Sequence, residues 1–324
     1  MTDKTYILQS SPHFKDKDSV PKIMYVVILS LMPSFLTSVY FFRFRAIALF
    51  VSCIGACLAT EALFLWLRKK PKHSLLDGSA VITGLLLAMT LPPSLSLDRA
   101  VIGAVAAIAI GKQVFGGLGH NIFNPALVGR AFLQTAFPVA MTTWIPPAML
   151  KVNTVTFATP LDNLKFQDAV AQGTLTSLKD LFLGNVGGCL GETSAFALLL
   201  GATYLFYKRA IDWRIPVGII CALTVFTGIF WLANPDKYAS PLFHILAGGL
   251  LIGAFFMATD MVTSPITPLG SWIYAIGIGM IAGLIRLFGG YPEGVMYSIL
   301  FMNTFVPLLN RYTRPRILGE RREK

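Results

Sequence analysis

The chain has 324 residues, of which 55% are hydrophobic and only 13% charged, with a mean hydropathy of +0.65. That composition excludes a water-soluble domain and a disulfide scaffold, and at roughly 20 apolar residues per crossing it provides for eight to eleven membrane helices and little else. The net charge of +11 does not indicate nucleic acid, because Lys and Arg stand at the ends of apolar runs, as membrane topology requires.

Residues 1–21 are polar, with Pro12, Lys15, Asp16, Lys17 and Asp18 and no apolar h-region, and read as a soluble tail rather than a signal peptide. Apolar runs follow at 22–42, 45–67, 79–92, 99–119, 125–145, 188–207, 215–233, 241–258, 270–288 and 294–310. The expected fold is an all-α integral membrane protein of about ten transmembrane helices in two inverted repeats of five, 22–145 and 188–310. An external loop, 146–187, separates the repeats, and a basic tail, 311–324, closes the chain. Lys15, Lys17 and Lys22, then Arg68, Lys69, Lys70 and Lys72, then Lys208, Arg209 and Arg214, then Arg311, Arg314, Arg316, Arg321 and Arg322 fall on one side if the spans alternate. The other side carries fewer, mainly Arg43, Arg45, Arg99, Lys151, Lys165, Lys179 and Lys237, so both termini are expected in the cytoplasm of a bacterial inner membrane. The loop from Pro146 to Val186 exceeds an ordinary connection, which marks it as functional or disordered.

Gly78-Ser79-Ala80 before 81–91 resembles Glu192-Thr193-Ser194 before 195–205, and spans six to ten would enter the membrane opposite to spans one to five. This is the pattern of an inverted repeat. Span three is short and ends at Pro92-Pro93, as a discontinuous helix would.

Polar groups at membrane depth need partners. Asn121, Asn124 and Arg130 lie in an otherwise apolar stretch; two amides three residues apart suit the edge of a flat heterocycle, or equally a helix cap with interhelical hydrogen bonds. Glu61 lies inside span two. Asp77, Glu192 and Asp260 are the ion-coupling candidates, although each sits near a helix end, where capping is the favoured reading. Arg130 and Arg286 are suited to neutralise one of these acids or a bound anion. Cys53, Cys57, Cys189 and Cys221 form no C-x-x-C pair, and His13, His73, His120 and His244 are dispersed, so no metal site is expected.

The G-G-x-G-x-N-x-F-N-P-A block at 116–126, A-T-P-L-D at 158–162, T-D-x-V-T at 259–263, I-R-x-F-G-G-Y-P-E-G-V at 285–295 and Y-T-R-P-R at 312–316 resemble the RnfD/NqrB family of membrane subunits, over nearly everything after residue 20. The length and the Arg-rich ending look more like the shorter RnfD branch of that family than like the longer NqrB branch. The resemblance implies an FMN joined through its phosphate to the threonine that ends S/T-x-A-T, here Thr156-Phe157-Ala158-Thr159, so that Thr159 is the attachment residue. The chain departs from the family where Asn153 replaces a frequent acid and Phe157 a smaller or polar residue.

The resemblance further implies a non-covalent riboflavin, for which Asn121 and Asn124 are carried over. It also implies partners: a flavin-bearing external subunit, other membrane subunits of an Rnf complex and a flavin transferase. Such a complex couples ferredoxin and NAD chemistry to export of sodium ions or protons. This chain has no Gly-rich dinucleotide fingerprint, so NAD and ferredoxin would bind elsewhere. A cofactor-free channel or transporter, and a structural anchor for redox partners, are the competing readings; neither gives Thr159 a flavin.

Overall fold

The computed structural model describes residues 19–69, 72–147, 158–167, 169–170 and 172–315, with the side chains of 72–74 excepted. Lys15, Lys17, Lys70, Lys151, Asn153, Thr156, Phe157, Arg316, Arg321, Arg322 and His13 lie outside the described residues. All regular structure among those described is helical.

Two long helices, α1 (Val20–Phe42) and α2 (Phe44–Leu67), are joined by Arg43 alone, at φ 52°. Their 23 and 24 residues reach about 35 Å at 1.5 Å per residue, enough for a hydrocarbon core about 30 Å thick. A 3₁₀ turn, Lys72–Asp77, leads to α3 (Ser79–Met89). The Asp77 carboxylate accepts from the Ser79 N–H at 2.8 Å and the Ser79 hydroxyl at 2.6 Å, fixing the helix start. With eleven residues, α3 rises only about 16 Å, half a bilayer. The expected span 79–92 therefore stops at Met89, before Pro92 and Pro93, which have no N–H to continue it.

Further along, α4 (Leu97–Ile108) runs into a π turn, 109–113, and then a loop in which Gly116, Gly117 and Gly119 adopt positive φ. The expected span 125–145 is divided into α5 (Pro125–Ala136) and α6 (Pro138–Met141), Pro138 interrupting the ladder. Within 146–187 the described residues include α7 (Pro160–Phe166) and α8 (Leu178–Leu183). Leu161, Leu181 and Val186 from this segment form a small core with Ala239, Phe243 and Ala247. These described residues dock on the bundle as a cap.

Residues 188–194 were expected to begin a span and are instead irregular chain inside the protein: Cys189 and Leu190 are fully buried. Irregular backbone at such depth survives only where protein groups satisfy it. The Leu190 and Gly191 N–H groups donate to the Leu91 and Met89 carbonyls at 3.1 and 2.7 Å, and the Ser38 and Ser34 hydroxyls of α1 donate to the Leu190 and Gly191 carbonyls at 2.5 and 3.3 Å. The broken end of α3 and this loop thus complete each other.

Only then does α9 (Ala195–Tyr207) start, capped by Ser194, followed by α10 (Arg214–Ala233). The expected span 241–258 consists of α11 (Pro241–Leu246), a break at Ala247-Gly248-Gly249, and α12 (Leu250–Ile252) entering a second π turn, 253–257. The bundle ends with α13 (Pro268–Phe288) and α14 (Val295–Tyr312).

Among the described residues four helices, α1, α2, α10 and α13, are long and apolar enough to cross a membrane, while α3 and α9 are shorter apolar helices. They pack as helices in lipid do, through small residues that admit a neighbouring backbone. A Cβ on Gly84 of α3 would lie 2.7 Å from Ile54 Cα of α2, one on Gly279 of α13 would lie 2.6 Å from the Ile219 carbonyl of α10, and one on Gly201 of α9 would strike the Ser30 carbonyl of α1. Both π turns precede a loop and a helix opened by a capped proline, Asn124-Pro125 and Thr267-Pro268. The Asn124 amide ties the two together, donating to the Met257 carbonyl at 3.1 Å.

Candidate functional site

Thr159 is the N-cap of α7, in a reciprocal capping box. Its hydroxyl donates to Asp162 Oδ2 at 2.7 Å and accepts from the Asp162 N–H at 3.1 Å, while the Thr159 N–H donates to the same carboxylate at 3.2 Å. At the other end of α7, Lys165 Nζ donates to three carbonyls at the end of α13 and just beyond: Ile285 (2.9 Å), Arg286 (3.1 Å) and Tyr291 (2.9 Å). Partial burial draws the Lys165 ammonium pKa downward. The short helix is therefore clamped at both ends, and Thr159 with it.

Beneath Thr159 lies a cavity of about 630 Å³ walled by Trp144, Pro160, Tyr291 and Tyr297. Its floor is charged. Arg130 of α5 reaches Glu192 Oε1 at 3.3 Å and Glu293 Oε2 at 2.6 Å, and touches Cys189 Sγ at 3.7 Å. Glu293 Oε1 accepts from the Gly249 N–H at 2.9 Å, and Arg286 donates to the carbonyls of Glu293 (3.0 Å), Ala247 (3.1 Å) and His244. Arg130 Nε is buried without a partner. Arg130 thus pairs with Glu192, one of the acids it was suited to neutralise, and with Glu293, whereas Glu192 caps no helix; Ser194 does that.

A second polar group occupies the opposite end of the bundle, where the start of α1, the start of α3 and the ends of α4 and α9 meet. Lys112 Nζ lies 2.5 Å from Glu61 Oε1 and 2.6 Å from Ser79 Oγ, both acceptors, and is only 2% exposed. Asp77 joins through Ser79. Asp260 accepts from the Thr263 hydroxyl at 3.2 Å in a turn well before α13, whose cap is Thr267. Of the three acids, only Asp77 takes up the start of a helix.

Asn121, Asn124, Lys112 and Asp260 line a cavity of about 80 Å³ here, room for two or three waters at about 30 Å³ each. That is well below the roughly 300–1,000 Å³ of ordinary small-molecule sites. Asn124 spends its amide on capping Ala126 N–H at 3.0 Å and on Met257, while Asn121 donates to the Phe123 carbonyl at 3.2 Å and leaves Oδ1 buried and unbonded.

The structure brings Thr159 and Glu192 to one cavity and Asn121, Asn124 and Asp260 to the other. Two residues central to these groups escaped the sequence reading. Lys112 was announced by the rarity of a lysine inside an apolar run, and Glu293 by an acid in the chain's P-E-G turn beside Arg286. The T-P-L-D capping box was equally legible.

Comparison with known proteins places residues 7–319 in correspondence with the NQR2, RnfD, RnfE family. The chain is 47% identical to the D-type subunit of the proton-translocating ferredoxin:NAD(+) oxidoreductase complex of Clostridium ljungdahlii, over 98% of this chain and 97% of the relative. It is 46% identical to the D-type subunit of the Na(+)-translocating ferredoxin:NAD(+) oxidoreductase complex of Acetobacterium woodii, with the same coverage. Against the D-type subunit of the ion-translocating oxidoreductase complex of Stutzerimonas stutzeri the identity is 40%, over 94% of this chain and 93% of the relative.

Proposed function

The chain belongs to the NQR2, RnfD, RnfE family, and on that premise we propose that it is the membrane subunit of an ion-translocating ferredoxin:NAD oxidoreductase that carries FMN on Thr159. The supporting observation is the placement of the Thr159 hydroxyl at the wall of a cavity of about 630 Å³, within the roughly 300–1,000 Å³ range of small-molecule sites. Trp144, Tyr291 and Tyr297 offer aromatic faces, and Arg130 brings a cation whose Nε has no protein acceptor.

When bound, the flavin accepts and passes single electrons. The chain's own residues do the positioning. Asp162 aims the Thr159 hydroxyl, Pro160 sets the direction in which the chain leaves it, and Lys165 fixes α7 against α13. The transferase and the other subunits are partners in this reading, which puts the cation-rich end of the bundle in the cytoplasm and Thr159 outside, supported by the positive-inside rule. A non-covalent riboflavin beside Asn121 and Asn124 has slighter support, the orphaned Asn121 oxygen.

The test is the intact mass of the chain from a host that also makes the flavin transferase, beside a Thr159→Val variant. A flavin-sized increment present in the first and absent from the second is the expected result. An unmodified chain in both would leave the channel and anchor readings.

A further inference from the structure

Arg130 pairs with two acids from different parts of the chain, and those acids crowd each other. A Cβ on Gly249 would meet Glu192 Oε1 and Glu293 Oε1 together, so both carboxyls lie over the same backbone atom. Adjacent carboxyls hold protons jointly, because ionising one opposes ionising the other. Both line the cavity under Thr159.

Building on the flavin reading above, we infer that Glu192 and Glu293 form a proton-accepting pair that takes up one proton when the group on Thr159 is reduced. One electron arrives from a reduced carrier on a neighbouring subunit and one proton from the bulk solvent, delivered as hydronium that leaves as water. An O–H bond forms on the pair, no bond within the protein breaks, and the negative charge gained above is matched by the positive charge gained below. Among the largely buried side chains at the cavity floor an unmatched charge is costly, which gives the pair its use.

The surroundings suit that role. Arg130 from α5 hydrogen-bonds both carboxyls, Arg286 from α13 holds the Glu293 backbone carbonyl, and an arginine does not itself titrate in this range. Cys189 shares the Glu192 loop, Tyr291 and Tyr297 stand on the cavity wall beside Glu293, and Asp162 closes the cavity from α7, engaged by Thr159. His244 of α11 packs behind Arg286, with both ring nitrogens buried and unbonded, and does not line the cavity.

The experiment uses the full chain, with flavin confirmed by mass, titrated with dithionite through mediators at several pH values. The Thr159→Val chain serves as the blank. The first one-electron potential of the unaltered chain is expected to fall by about 59 mV per pH unit, the slope for one proton per electron. A flavin-bearing Glu192→Gln chain should lose most of that slope, and Glu293→Gln likewise. A reduced-minus-oxidised infrared difference spectrum of the unaltered chain should show a protonated-carboxyl band that shifts in deuterium oxide. A full slope retained in Glu192→Gln overturns the inference, as does an absent carboxyl band, which decides the matter even if the variants do not fold. A chain lacking the flavin mass overturns the attachment itself, a separate failure seen before any titration.

Discussion

The charged group around Arg130 and the one around Lys112 are both sunk among apolar helices, yet one opens on a cavity of about 630 Å³ and the other on about 80 Å³. The first gathers Arg130 from the middle of α5 and Arg286 from the end of α13 around three breaks, the irregular loop at 188–194, the gap at 247–249 and the turn at 290–294. The second is a tight exchange between side chains of α2, α3 and the π turn after α4. Broken backbone makes room for a ligand, because helix ends leave polar groups and gaps where continuous helices leave none. Around Lys112 the side chains of α2, the start of α3 and the π turn close on one another and leave a buried ion pair with one orphan, Glu61 Oε2.

That contrast predicts unequal responses to substitution. The largest is expected at the closed end. Lys112→Met leaves the Glu61 carboxylate uncompensated and should cost about 3–5 kcal/mol, the usual penalty for halving a buried pair. Adding Glu61→Leu should restore most of the loss, and thermal unfolding of the three chains in one detergent measures it. Equal losses in the single and double variants would refute the pairing.

A smaller effect is expected at the open end. Lys165→Met removes the charged donor that anchors α7 to α13, worth about 2 kcal/mol by the scale for hydrogen bonds to charged groups. The loss should appear as faster amide exchange across 158–167 with little change in overall unfolding, since the cap can lift while the bundle stays intact. A global loss with no local one would place Lys165 in the core of the bundle instead.

The smallest is Asn124→Ala, which deletes an N-cap at a typical cost of about 1 kcal/mol. Because the same amide reaches Met257, the variant should also loosen the second π turn. Exchange at 253–258 tests that link, and an unchanged rate there would limit Asn124 to its cap.

Much of this protein was legible before its structure. α1, α2, α10 and α13 stand within a few residues of the expected spans because an apolar run of twenty or more residues has one low-energy solution in lipid, a continuous helix. The end of α3 was legible in Pro92-Pro93 for the same local reason. The start of α9 and the break after α11 were not. Residues 188–194 carry two glycines and Glu192, Thr193 and Ser194, but what holds their irregular backbone is Ser34, Ser38 and the end of α3, groups more than ninety residues away in sequence.

The site divides in the same manner. Sequence alone determined the apolar class of the chain, the long helices, the capping of α3 by Asp77 and the T-P-L-D segment that contains Thr159, because each depends on neighbours within a turn or a span. Only the tertiary structure decided that Glu192 answers to Arg130 and Glu293, that Glu61 answers to Lys112, and that Thr159 overlooks a cavity while Asn121 and Asn124 line a narrow one. A buried charge is stabilised by whichever opposite charge folding brings within about 4 Å, and no local pattern in the chain records which one that is.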